Sequence, residues 1–204
     1  MAIRIDGTNT TANPGITGAD ADTGLQFGTN ELKLVTGGTE AVKIDSNQKL
    51  TASQGILFGT DTADANTLDD YEEGTFTPVF SGATTSGVYT YATQLGRYTK
   101  IGNQVICHCS LTDITTVGAG SGAIRIKGFP YVSANESVFP HGVCRLTNFD
   151  VASGAYDVNA TMNANSTQVS ITISRDAQAA TSVQSTGKLN NSADILLSLT
   201  YHVA

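Results

Sequence analysis

From Gly74 to Val203 the chain is cut into short runs in which apolar and polar residues alternate, and each run gives way to a cluster of Gly, Asn, Ser or Asp. A period of two lets a strand bury one face, and the intervening clusters have the chemistry of turns. The runs are TFTPVF, GVYTYAT, GRYTKIGNQVICHCSLTDI, GAIRIKGFPY, SVFPHGVCRLTNF, YDVNATMN, TQVSITISR and DILLSLTYHV. In the third, Val105, Cys107, Cys109 and Leu111 are expected to face one way, with Gln104, Ile106, His108 and Ser110 the other. No stretch of helical length carries a period of 3.6 residues. The expected fold is therefore all-β, with an antiparallel β-sandwich or jelly-roll-like domain of about seven or eight strands over residues 67–204.

The first third is built differently. GLQFGT at 24–29 recurs as GILFGT at 55–60, and IRID at 3–6 recurs as VKID at 42–45. Between the copies, ELKLVTGGTEAVKID sets Leu32, Leu34, Val42 and Ile44 in alternation around TGGTE, a hairpin signal. Residues 1–66 hold only fifteen large apolar side chains, one Met and the rest Val, Ile, Leu or Phe, strung out at strand spacing. So few cannot enclose a core within one chain. Repeated short strands that each bury one face normally stack on neighbours or partner chains, so this segment is expected to be part of an oligomer.

Charge excludes one class of partner. The chain of 204 residues has a formal net charge of -7, and only 14% of its residues are charged. Acidic side chains outnumber basic ones both in 1–66 and in 67–204, so no nucleic-acid partner is expected. No segment approaches the roughly 18 apolar residues of a membrane span, and MAIRIDGTN lacks the pattern of a signal peptide, so synthesis in a cytoplasm without membrane insertion is expected.

Four motifs carry a family resemblance: ANTLDDYEEGTFTP, then GRYTKIGNQV, then IKGFPY, then a terminal strand ending in LTYHV. Together they resemble the C-terminal domain of tail-fibre-like virion proteins of bacteriophages, especially phages of marine bacteria. The preceding GLQFGTNELKLVTGGTEAVKIDSNQKL resembles the repeats ahead of that domain. Phe76 stands where the family often has Trp, which keeps an aromatic anchor. The resemblance implies a virion structural protein made in the host cytoplasm, with residues 1–66 as a repeat-containing attachment or shaft segment and 67–204 as a distal domain. It also implies a homotrimer that docks on other virion proteins of tail or capsid and meets a host-surface glycan or protein. A head fibre or capsid decoration protein, and a soluble carbohydrate-binding module, are the alternatives.

The candidate chemistries weigh against an enzyme. Asp69, Asp70, Glu72 and Glu73 crowd around Tyr71, and paired carboxylates can hydrolyse glycosides, but that chemistry needs two acids held across a cleft at a set separation. Adjacent acids before a Gly read instead as a solvated joint between two parts, with Tyr71 and Phe76 anchoring it in the adjoining cores. Cys107, Cys109, Cys144 and His141 can form a thiolate and imidazole metal site only if two strands lie side by side, and alternation sends His108 away from its neighbours. Reduced, buried thiols are the expectation. GAGSG at 118–122 lacks the Lys and Ser or Thr of a phosphate loop and reads as a flexible loop tip. No catalytic, cofactor-binding or metal residue is assigned and no cofactor is expected; receptor contacts are placed no more finely than the loops 82–90, 115–122 and 177–187.

Overall fold

The computed structural model describes residues 4–5, 7, 9–12, 14–151, 155–175, 178–183 and 189–204. The chain forms two compact units, Met1–Asp69 and Asp70–Ala204. Both are built from strands.

The first unit is a single six-stranded antiparallel meander in chain order: β1 (Arg4–Ile5), β2 (Ile16–Thr17), β3 (Gly24–Gly28), β4 (Glu31–Thr36), β5 (Thr39–Ile44) and β6 (Leu50–Ala52). The expected hairpin is β4–β5, with Leu32 opposite Ile44 and Leu34 opposite Val42. Its turn is Gly37–Gly38, whose φ angles of 54° and 70° are those of the two-residue turn that matches strand twist. Directly opposed residues share a face. Phe27, Leu32, Ile44 and Leu50 form one apolar row, and Ile5, Ile16, Leu25, Leu34, Val42 and Ala52 form the next. The other face carries Gln26, Lys33, Lys43 and Thr51, with Lys33 paired to Glu31 and Glu40, each at 3.2 Å. The apolar face is left open: Phe27 is 47% and Leu50 63% exposed. The two copies of the repeat differ in outcome. GLQFGT supplies β3, flanked by β2 and β4, whereas in GILFGT only Ile56 pairs, in an isolated bridge to Leu68. A strand needs a neighbour to satisfy its backbone, and the second copy has no β4-like strand after it.

The second unit is one eleven-stranded antiparallel sheet. Its strands are β7 (Tyr71–Phe76), β8 (Val79–Gly82), β9 (Val88–Thr90), β10 (Thr93–Ile101), β11 (Gln104–Gly118), β12 (Ile124–Lys127), β13 (His141–Phe149), β14 (Ala155–Met162), β15 (Gln168–Arg175), β16 (Gln178–Ser182) and β17 (Leu189–His202). Nine of them run in the order β7-β10-β11-β17-β13-β14-β15-β12-β8, while β9 pairs with β11 and β16 with β15. The two outermost strands, β7 and β8, are consecutive in the chain and separated only by Thr77 and Pro78. Phe76 and Val79 are three Cα steps apart, about 11 Å at most, so the edges of the sheet are drawn together there and the sheet curls into a near-barrel. The all-β expectation stands. The expected sandwich or jelly roll is refined, because one continuous hydrogen-bonded sheet curls around a single core. GRYTKIGNQVICHCSLTDI, read as one run, is a hairpin: β10 and β11 meet at Ile101 and Gln104 across Gly102–Asn103.

One apolar cluster fills the curl. It takes Val105, Cys107, Cys109 and Leu111 from β11, Ile195, Leu197, Leu199 and Tyr201 from β17, and Val169, Ile171 and Ile173 from β15, with Phe80, Ile124, Ile126 and Met162. The alternation expected of β11 is the one observed, with Gln104 and His108 exposed. Most of these side chains are out of water, and each contributes about 1.5–3 kcal/mol of transfer free energy.

Candidate functional site

The four motifs that carried the resemblance converge on one patch of the second unit. The acidic stretch is not a free linker. Tyr71–Phe76 is an edge strand, paired with β10 so that Glu72 faces Lys100, Gly74 faces Tyr98 and Phe76 faces Gly96. The last two pairs are reciprocal, since each aromatic ring lies over the glycine of the opposite strand. A Cβ on Gly74 would come within 2.6 Å of the Tyr98 ring, and one on Gly96 within 2.4 Å of the Phe76 ring. The bare backbone is shielded by a ring, and the ring gains a flat seat. Phe76 then meets Phe129 with ring centroids 5.2 Å apart, Tyr98 meets Tyr131 edge-on at 5.5 Å, and Phe129 meets Tyr201 at 6.4 Å. Tyr201 closes the set: its hydroxyl donates to the Tyr131 carbonyl at 3.1 Å.

The charges at this patch are matched locally. Tyr98 and Tyr131 both donate their hydroxyls to Glu72, Lys100 pairs with Asp70, and the Lys100 ammonium lies 5.8 Å from the centre of the Tyr131 ring. Lys100 is a buried cation, so its position depends on these partners. The hydroxyls of Tyr131 and Tyr98 hold the Glu72 carboxyl below the usual glutamate range, and Glu72 in turn raises both phenols. Tyr71 departs from the expectation that it anchors a core. It is 63% exposed, and its hydroxyl donates to neighbouring Glu73, which raises its pKa. Phe76 does anchor, through Phe129. Glu72 and Glu73 are successive residues of one strand and so point to opposite faces, which is a poor arrangement for two acids that must act on one bond.

The cysteines and histidines do not converge. All three thiols are free, with Cys107 and Cys109 buried and Cys144 half-buried, and burial pushes each up to about 12. Such thiols stay protonated and are poor ligands or nucleophiles. Cys109 and Cys144 both oppose Leu197, on either side of β17. His108 is on the outer face of β11, and exposed His141 lies 3.1 Å from the Thr161 hydroxyl through Nδ1. Among the described residues no group of three or more His, Cys, Asp or Glu is placed to hold a metal ion.

The loops singled out for recognition are more ordered than their composition implies. The tip at 118–122 lies against 82–90, with Thr85 and Ser121 exchanging backbone hydrogen bonds at 3.2 and 3.0 Å and the Gly120 amide donating to the Tyr89 hydroxyl at 2.9 Å. It is pinned and is not a free loop tip. Of 177–187, residues 178–182 form β16, while 177 and 184–187 lie outside the described residues. A concavity that the sequence reading missed lies elsewhere, between the outer face of β11 and β17 and the segment 133–140. Its residues are dispersed over three segments, and no local pattern marks them.

No protein-family model matches the chain, and no curated protein matches it. Among solved structures, the chain is similar in fold to the crystal structure of the Dettilon tailspike protein, with a TM-score of 0.54 at 17% sequence identity. The likeness covers 65% of this chain and 24% of the tailspike chain. At this identity it is a likeness of fold: the chain shares an all-β architecture with part of a tailspike.

Proposed function

We propose that the chain is a structural component of a phage virion, a trimeric tail-fibre-like protein that takes part in attachment to the host surface. The observation that carries this reading is the likeness of its fold to part of a tailspike. Residues 1–66 serve as the attachment and shaft segment, and 67–204 form the distal domain. The open apolar rows of the first unit support self-association, because a face bearing Phe27, Leu34, Ile44 and Leu50 is costly to leave in water. The protein works without catalysis or cofactor; the placement of Glu72 and Glu73 on opposite faces of one strand supports that part of the reading.

Light scattering on the purified chain is expected to report a stable oligomer, three chains being favoured. That oligomer is expected to bind host cells, slow phage adsorption and release no oligosaccharide from host polysaccharide. A compact monomer at micromolar concentration, or released oligosaccharide, would overturn the reading. An oligomer that ignores host cells but is found on the capsid would replace attachment with head decoration.

A further inference from the structure

The concavity on the outer face of the second unit is a built site. It has a volume of about 170 Å³ and is lined by Gln104 from β11, Thr200 and His202 from β17, and Glu136, Val138 and Pro140 from the segment that passes over them. That segment is fixed at both ends. Ser133 exchanges backbone hydrogen bonds with Ser166 and Asn165, and the Ala134 amide donates to the His202 carbonyl at 2.8 Å. At the far end the Pro140 carbonyl accepts from the Met162 amide at 3.1 Å. The wall therefore exists before any ligand arrives, so little ordering entropy is lost on binding.

The polar groups inside are uncommitted. Among the described residues the side chains of Gln104, Glu136, Thr200 and His202 make no hydrogen bond or ion pair with the protein. The residues that line this one small space thus carry an amide, a carboxylate, a hydroxyl and an imidazole, donors and acceptors in mixed order. Val138 and Pro140 add an apolar flank. Mixed donors and acceptors around a ring-sized space, with an apolar wall on one side, suit a polyol ring with hydroxyls at its rim and C–H groups on its face. The volume is well under the roughly 300–1,000 Å³ of sites for drug-sized ligands, so it holds one ring. No Lys or Arg lines the space and one carboxylate does, which disfavours an anionic sugar.

We propose that this cavity, formed by Gln104, Glu136, Thr200 and His202 beneath the Val138–Pro140 wall, binds a single neutral pyranose unit. As the source of that sugar, a host-surface glycan, the inference rests on the attachment reading above. The site differs from the loops 82–90 and 115–122, to which composition first pointed.

The test uses the full chain and four probes, the methyl glycosides of glucose, galactose, mannose and N-acetylglucosamine, with methyl glucuronide as the anionic comparison. Ligand-observed NMR and calorimetry are expected to show at least one neutral glycoside binding with a Kd on the order of 1 mM. Gln104→Ala, Glu136→Ala and His202→Ala are each expected to weaken it about tenfold, the loss of roughly one good hydrogen bond. Thr200→Val, which removes the hydroxyl at nearly constant volume, gives a second reading should an alanine variant unfold, and Thr90→Ala in the 82–90 loop is expected to change nothing. The inference is overturned if no neutral glycoside binds at tens of millimolar, if binding survives all four pocket substitutions, or if the glucuronide binds best. Adsorption separates the two readings. Wild-type protein that competes with virions while the pocket variants compete equally well removes this site and keeps attachment. Wild-type protein that binds a glycoside through these residues yet does not compete keeps the site and removes attachment.

Discussion

The two units obey the same alternation rule and solve the resulting problem in opposite ways. In the second, β7 and β8 are tied by Thr77–Pro78, so a sheet whose inner rows are apolar closes over them and leaves Val105, Leu111, Ile124 and Ile195 without exposed surface. In the first, a six-stranded meander runs in simple chain order, its two edges are far apart in sequence, and an equally regular apolar face remains open. Alternation says which face is apolar; strand order says whether the chain can cover that face itself. This six-stranded meander does not pair its first strand with its last, so its apolar face is left to other surfaces to cover.

Cutting the chain should expose this contrast most strongly. Residues 66–204 alone are expected to keep a cooperative thermal unfolding transition and a β-type circular dichroism spectrum, with weaker self-association. Residues 1–66 alone are expected to be disordered or to aggregate. An unfolded 66–204 fragment would mean that the two units share one core. A smaller effect comes from single side chains. Leu111→Ala, at a fully buried position, is expected to lower the unfolding free energy by about 2–5 kcal/mol in denaturant titrations. Leu50→Ala, at a mostly exposed one, is expected to leave that transition alone and to reduce oligomer size in light scattering instead. Equal effects of the two on unfolding would erase the distinction between a closed and an open apolar face.

The smallest effect concerns Glu72. Its pKa is lowered in the folded chain by the hydroxyls of Tyr131 and Tyr98, so its contribution is present above the unfolded-state value near 4.5 and is lost as pH falls through the lower folded value. Glu72→Gln is expected to flatten the loss of stability at that acid end, with little change near neutral pH beyond that of the altered hydrogen bonds. Circular dichroism melts across the acid range would check it; a wild-type-like acid slope in the variant would place the tyrosine contacts outside the folding equilibrium.

Much of the local structure could be read from the chain. The faces of β11, the Gly37–Gly38 hairpin and the anchoring role of Phe76 all follow from period, turn chemistry and aromatic size. What escaped was whatever depends on register between distant segments. Nothing in EEGTF or GRYTK by itself reveals that Gly74 sits under Tyr98 and Gly96 under Phe76, because that needs the β7–β10 pairing. The turn at Gly102–Asn103 was passed over within one long run because only two residues separate Ile101 from its partner Gln104. Tyr71 failed as an anchor because it lies five residues from Phe76 on β7 and so points to the opposite face of the sheet, away from the Phe129 side. The cavity around Gln104, Glu136 and His202 was invisible for the same reason: each is an ordinary polar residue until β11, β17 and the 133–140 segment are brought side by side.

One feature of the sheet governs how this unit can come into being. β17 lies between β11 and β13, matched to β11 from Gln104–His202 to Ile114–Ala193 and to β13 from Val143–Ser198 to Phe149–Leu189. It is the last strand of the unit to leave the ribosome, yet it occupies the middle of the finished sheet. Until it arrives, β11 and β13 have bare edges facing each other and no common partner. Until then the unit can be no more than two separate groups of strands, β7-β10-β11 and β13-β14-β15-β12-β8, with apolar faces exposed, and β17 must join them along a central seam. Such distant pairing makes folding slow and leaves nascent chains open to sticking together. In a cell making many copies at once, the dangerous interval is the one before β17 emerges, and shielding by chaperones matters most there.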